Sequence, residues 1–348
     1  MPQINPDRLM QAMRELAQFG AYGTGVHRPT FSPQDMKSRH WLAKCYADVG
    51  LDAHIDGVGN VLGRSPHAGK ALLIGSHSES QNHAGWLDGA MGVIYGLEIA
   101  RAFAESDKCR HLPIDTVAWS DEEAHFVPFL GSRSFIDDLD AAEIAAATDA
   151  TTGQPLTDVL AKAGLDGRAP AQIDPSRYRG YLEAHIEQGD TLEFSGKRIG
   201  IVTSIVAIWQ YRIVIEGQQN HAGSTRMAAR RDAGLAAARL ACLIDARFPQ
   251  VAGPRSVWTT GRLDLEPGAP SIIPGCARML FQFRDDEPAT LERLDASLRD
   301  LCAQIARETN CTVSIERTAT GVPLHMDPSF QAALVAAAQT HCPSDFVK

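Results

Sequence analysis

The chain has 348 residues and a formal net charge of -9 at pH 7, with 44% hydrophobic and 22% charged residues. That length favours two domains, and the acidic balance excludes nucleic acid or an anionic membrane as the main partner. No apolar run is long enough for a bilayer span, and seven dispersed cysteines without a Cys-x-x-Cys pair lead to the expectation of reduced thiols in a cytoplasmic protein.

The first twenty residues read as an amphipathic helix with mixed charges rather than a secretory signal, and helices are predicted at 9–16 and 35–49. In the second, Trp41, Leu42, Cys45 and Tyr46 share one face. Short strands follow at 53–56, 60–63 and 72–76, then a helix at 89–104. Alternating strands and helices to about residue 206 predict an α/β domain with helices on the sheet faces. From about 208 the pattern changes to strand (209–217), helix (228–246), strands (256–260 and 277–283), helix (289–309) and strand (311–317). This β-α-β-β-α-β order is that of a ferredoxin-like α+β unit. It is expected as an insertion: residues 208–318 as a lid or dimerisation domain, residues 1–207 plus 319–348 as the catalytic domain.

Three polar clusters each follow an apolar run. The first places His77 after Ala71-Leu72-Leu73-Ile74 and Asp88 at the mouth of the 89–104 helix, whose amino end favours a carboxylate. The second is Ser120-Asp121-Glu122-Glu123 after Thr116-Val117-Ala118-Trp119, and the third is Glu183 to Gly189 with His185 at its centre. His77, Asp88, Glu123 and His185 are the ligand types of a catalytic metal site, and Glu122 adds a carboxylate that can take a proton from water. On an extended strand end Glu122 and Glu123 would point in opposite directions, one to metal and one to substrate. Each cluster alone has an ordinary reading, as a solvated acidic loop or a hydrogen-bonded histidine. Three together in one domain favour a metal-assisted hydrolase. His83 and His125 lie near the clusters but off the strand ends, which suits supporting roles. In the second domain Asn220-His221-Ala222-Gly223-Ser224 links a strand to a helix. Arg284 could grip a carboxylate through two parallel hydrogen bonds, or simply pair with Asp285 or Asp286.

Taken together, GSH at 75–77 with WLDGAMGV at 86–93, SDEE at 120–123 with LGSRSF at 130–135, YLEAHIEQG at 181–189, NHAGSTRMAARRDA at 220–233, and EPGAPSIIPG at 266–275 with FQFRD at 281–285 resemble the hydantoinase/carbamoylase amidases of the M20 metallopeptidase clan. That group includes N-carbamoyl-L-amino-acid amidohydrolases, allantoate amidohydrolases and β-ureidopropionases. The resemblance extends to about residue 330 and implies a two-domain M20-type metallohydrolase with two divalent metal ions per subunit. Zinc, manganese, cobalt and nickel all suit such ligands.

By this resemblance His77 and His185 bind one metal, Asp88 bridges both and Glu123 binds the second. Glu122 is the general base, Gln188 holds substrate, and Arg284 holds the substrate carboxylate. His221, reaching across a homodimer formed by the lid, stabilises the oxyanion. The implied reaction is hydrolysis of a linear amide or ureido C–N bond of a small N-carbamoyl compound, releasing ammonia and carbon dioxide. The rivals are an M20-type aminoacylase or dipeptidase and a non-catalytic dimerising remnant. Three departures stand out. Glu79 replaces the aspartate that usually orients the metal histidine, and is expected to do so with a longer arm. Ser271 stands where the family carries an asparagine that touches the substrate carboxylate. The family's Gly-Ala-Gly-His-Asp-Ala segment, source of its last metal histidine, does not occur in the sequence. The chain is therefore expected to be truncated at its carboxyl end and its second metal site incomplete; neither His325 nor His341 stands in the context of that histidine.

Overall fold

The structure, a computed structural model, describes residues 2–348. Contacts divide the chain into two compact units, one ending at Gln188 and one running from Gly189 to Lys348.

In the first unit, helices α1 (Pro6–Gln18) and α2 (Pro33–Asp48) both begin with proline after a capping side chain. Asn5 accepts from the Arg8 amide at 3.1 Å and Ser32 from the Asp35 amide at 3.2 Å, so amino-end donors without helical partners are satisfied. Strands β1 (Asp52–Ile55), β2 (Val61–Arg64) and β3 (Ala71–His77) precede helix α3 (Ala90–Ala104). Strand β4 (Ile114–Trp119), the short helix α4 (Leu130–Phe135) and strand β5 (Tyr178–Leu182) complete the framework. The sheet order is β1-β2-β4-β3-β5. β3 runs parallel to both β4 and β5, whereas β2 is antiparallel to β1 and β4.

Strands β3 and β4 are buried along almost their whole length because helices or loops cover both faces, whereas the edge strand β5 is only partly buried. Leu16, Leu42, Tyr46, Val93, Ile94 and Leu97 form the core on the helical side, and Leu62, Leu73, Val117, Trp119 and Phe135 cluster separately. Strand register positions the polar clusters. His77 is paired with Trp119 and Ile74 with Leu182, so the chain leaves β3, β4 and β5 at one edge, at their carboxyl ends. In open parallel sheets that edge is where ligands bind.

The second unit contains β6 (Ala207–Glu216), α5 (Ala233–Arg247), β7 (Val257–Glu266), β8 (Cys276–Asp285), α6 (Pro288–Thr309) and β9 (Thr312–Thr320). Its antiparallel sheet has the order β7-β8-β6-β9, the ferredoxin-like topology expected. Alternate residues Tyr211, Ile213 and Ile215 of β6 and Met279, Phe281 and Phe283 of β8 meet Leu240 and Ile244 of α5 and Leu294, Leu298 and Ile305 of α6. Strand β7 runs to Glu266, beyond the 256–260 expected. It is an edge strand exposed on most of both faces, so its residues lack the alternation that marks a half-buried strand.

The contact division differs from the expected one, in which 189–207 and 319–348 belong to the catalytic domain. Those two segments pair with each other, Ser204 with His325 and Ile199 with Phe346. Ser204 also donates to Asp286 at 2.6 Å, and Gln331 of helix α7 (Pro328–His341) donates to the Thr203 carbonyl at 3.2 Å.

Candidate metal centre

His77 is the last residue of β3 and is 2% exposed. Its Nδ1 lies 3.2 Å from the Glu79 carbonyl, and His185 Nδ1 lies 2.8 Å from the Ile186 carbonyl. A carbonyl only accepts, so each Nδ1 carries a proton, and in the neutral imidazole, the form that binds metal, each Nε2 is left with a lone pair. Both lone pairs converge on one carboxylate oxygen. Asp88 Oδ1 is 3.1 Å from His185 Nε2 and 3.8 Å from His77 Nε2. That oxygen is buried and has no hydrogen-bond partner, while Asp88 Oδ2 accepts from Gln188 Nε2 at 2.7 Å. Three electron-pair donors facing one another repel unless a cation lies among them. A tetrahedral cation about 2.1 Å from each ligand would separate the donors by about 3.4 Å, within the observed spread.

Among the described residues this is the one group of three or more His, Cys, Asp or Glu side chains whose ligand atoms lie within 4.8 Å of one another. Gly89 keeps the space open. It has φ +62, and a Cβ there would sit 2.4 Å from the His77 ring, so both the backbone turn and the close approach require glycine. The residues therefore fit a divalent cation.

Glu122 and Glu123 are not separated by strand alternation. β4 ends at Trp119, and both glutamates lie in a turn flanked by Asp121 (φ 55) and Ala124 (φ 59). The Asp121 carboxylate pins this turn, accepting from the amides of His125 at 2.8 Å, Phe126 at 2.9 Å and Val127 at 2.8 Å. Glu123 stands outside the three-residue cluster; its main-chain and side-chain oxygens accept from Gln81 Nε2 at 2.7 and 2.9 Å. Burial, with the negative charges of Glu183, Glu79, Glu123 and Asp121, pushes the Glu122 carboxyl up to about 8. A carboxylate so displaced takes up a proton readily near neutral pH.

Glu79 serves His77 through its carbonyl. Its carboxylate is 3.8 Å from Nδ1, too far for a hydrogen bond. Instead Oε2 accepts from Arg39 at 2.9 Å and Oε1 from the Glu122 amide at 2.6 Å. His125 donates through Nδ1 to Thr30 Oγ1 at 3.0 Å, because the Thr30 hydroxyl gives its own proton to Asp121 at 2.9 Å. His83 stacks on His27 with ring centres 4.4 Å apart.

In the second unit His221 and Ser271 are neighbours. Asn220–His221 pairs with Ile272–Ile273, and the Ala222 amide donates to the Ser271 carbonyl at 2.9 Å. His221 is exposed, and its Nδ1 accepts from the Gly223 and Ser224 amides at 3.0 and 3.2 Å. Nδ1 is thereby the acceptor, which leaves Nε2–H free to donate. Arg284 lies half-buried on β8, 3.5 Å from Gln282 Oε1. Neither neighbouring aspartate pairs with it: Asp286 takes Arg255 at 2.5 Å, and Asp285 accepts from Ser256 and the Glu287 amide.

Residues 49–160 match the model of peptidase family M28 and residues 204–310 that of the peptidase dimerisation domain. An N-carbamoyl-L-amino acid amidohydrolase of Geobacillus stearothermophilus is 32% identical over 90% of this chain and 78% of its own length. A crystal structure of an amidase of the hydantoinase/carbamoylase family from Burkholderia phymatum superposes with a TM-score of 0.95 at 45% identity, covering 99% of this chain and 86% of that one. The chain belongs to the hydantoinase/carbamoylase family of amidases. An allantoate deiminase of Arabidopsis thaliana is 28% identical over 96% of this chain and 69% of its own length. The hydantoinase/carbamoylase amidase is thus a hydrolase of C–N bonds other than peptide bonds, in linear amides. Among its described residues no helix is long and apolar enough to cross a membrane.

Sequence reasoning passed over three contributors in this amidase. Gln81 holds Glu123, and Glu183 accepts from Tyr181 at 2.8 Å and from Ser76. Arg39 is buried on α2, forty positions from the glutamate it pairs with. Only Glu183 had a visible signal, its place in the third cluster.

Proposed function

We propose that this amidase hydrolyses a C–N bond of a small N-carbamoyl or related ureido compound, using a divalent cation held by His77, Asp88 and His185 and Glu122 as general base. The observation that carries the reading is the convergence of two imidazole lone pairs on the unpartnered Asp88 oxygen. Bound there, a divalent cation would polarise the scissile carbonyl and acidify water. Glu122 takes the proton of the attacking water and returns it to the leaving nitrogen; its raised pKa suits both transfers. With a ureido substrate, R–NH–CO–NH2 and water give the amine, ammonia and carbon dioxide.

The further assignments are proposals on the same footing. Glu123 would hold a second cation with Asp88 as bridge, and Gln81 supports it by fixing that carboxylate. His221 Nε2–H would donate to the developing oxyanion, with Gln188, Ser271 and Arg284 binding substrate. Arg284 supports this by having no ion-pair partner among the described residues. The match to the dimerisation domain supports a homodimer, and seven unpaired cysteines support a cytoplasmic location. Zinc is the first candidate metal, with manganese, cobalt and nickel as alternatives. The test compares ammonia release from N-carbamoyl compounds with amine release from N-acyl compounds, on protein stripped of metal and reloaded with each cation. Cation-dependent ammonia release is expected. Amine release from N-acyl substrates alone would replace the reading with an aminoacylase.

A further inference from the structure

Arg39 has no exposed side-chain surface, nor has either carboxylate it pairs with. Its Nε donates to Asp35 Oδ2 at 2.8 Å, Nη1 to the carbonyls of Gly59 at 2.8 Å and Trp119 at 3.3 Å, and Nη2 to Glu79 Oε2 at 2.9 Å. Trp119 is the last residue of β4, so the turn beyond it is gripped at its root. It is gripped again from Glu79, whose other oxygen accepts from the Glu122 amide at 2.6 Å. Both neighbours of the Glu79 carboxylate are donors, and a carboxylate is the side chain that can accept from both. The extra methylene of glutamate carries these oxygens past His77 Nδ1, 3.8 Å away, and on to the Glu122 amide.

We propose that Arg39 is a positioning residue for catalysis, which acts through the Glu79 carboxylate to hold the turn bearing Glu122, while His77 is oriented separately by the Glu79 carbonyl. This rests on Glu122 being the base. Lysine cannot replace Arg39, because one ammonium cannot span Asp35, Glu79 and the two carbonyls in a fixed plane. Glutamine cannot replace Glu79, because its amide group would face either the Arg39 or the Glu122 N–H donor.

The experiment is a double-mutant cycle on the full chain between Arg39→Lys and Glu122→Gln, with Glu79→Gln as the alternative first arm should the lysine variant not fold. kcat, KM and bound metal per chain are measured for each protein. For either first-arm variant kcat is expected to fall about 10- to 100-fold, the scale of a displacement of about 1 Å at a reacting group. KM should stay within about threefold and metal per chain should be unchanged, since His77, Asp88 and His185 are untouched. The double variant should be no slower than Glu122→Gln alone, because a misplaced base costs nothing once the base is gone. If Glu122→Gln is slow and the first-arm effect adds to it in full, or bound metal is lost instead, the positioning role is overturned while the base assignment stands. A Glu122→Gln enzyme as fast as the wild type would overturn the base assignment, and this inference with it.

Discussion

Replacing Asp88 by asparagine separates the two things its carboxylate does. Without a cation, Oδ1 is a buried acceptor facing the acceptor Nε2 of His185 at 3.1 Å. An amide NH2 in that place can donate to Nε2, gaining about 0.5–1.5 kcal/mol for the new hydrogen bond. The other side-chain oxygen still accepts from Gln188 Nε2, at 2.7 Å in the wild type. Metal-free Asp88→Asn is therefore expected to melt at the same temperature as metal-free wild type, or a few degrees higher. With cation the order reverses. A ligand present at 100 times its Kd stabilises the folded protein by about 2.7 kcal/mol. At about 2–4 °C per kcal/mol for a unit of this size, wild type should gain about 5–11 °C. Asparagine supplies no charge and a weaker oxygen donor, so most of that gain should vanish. The assay is thermal unfolding of chelator-treated protein titrated with zinc or manganese. If Asp88→Asn gains as much as wild type from the same cation, or if its metal-free form is several degrees less stable, the convergent lone-pair argument is wrong.

Three further outcomes are expected. Gly89→Ala places a methyl 2.4 Å from the His77 ring at a positive φ; it should cost about 1–2 kcal/mol of stability and weaken cation binding about 10-fold or more, read by competition with a chromogenic chelator. Glu122→Gln should lower kcat about 100- to 10,000-fold with metal content retained; a fall in metal content would instead make Glu122 a ligand. Burial alone would raise the Asp295 pKa, but Arg299, Tyr211 and Arg317 outweigh it and hold the carboxyl below its usual range. A depressed folded pKa means stability that is present above the unfolded value of about 3.9 and lost as pH falls through the folded value. The stability gap between wild type and Asp295→Asn, measured by denaturant titration, should therefore narrow as pH falls from about 5 toward 3. A constant gap would mean that the charge of Asp295 contributes nothing.

Much of the fold was legible because its elements carry local signals. The apolar faces of α1 and α2, the apolar run of β3 and the period-two β6 each arise from residues within ten positions of one another, although both helices begin two or three residues earlier than expected, at Pro6 and Pro33. Strand β7 was read too short because an exposed edge needs no apolar alternation. The units divide at Gln188 because two short strand pairs and the Ser204–Asp286 bond join segments more than eighty positions apart, which no local pattern records.

The site divides in the same way. Amino-acid order alone set the chemical types, two imidazoles and several carboxylates just past apolar strands, and the family to which their spacing belongs. Folding settled which of them meet. The β3–β4–β5 register brings His77 and His185 to one sheet edge, and the positive φ of Gly89 clears room for the His77 ring. Packing also sends the Glu79 carboxylate to Arg39 and the Glu122 amide instead of His77. Residue type and spacing set what a side chain can bind. Only the packed chain sets what it faces, because a hydrogen bond is won or lost over less than about 1 Å.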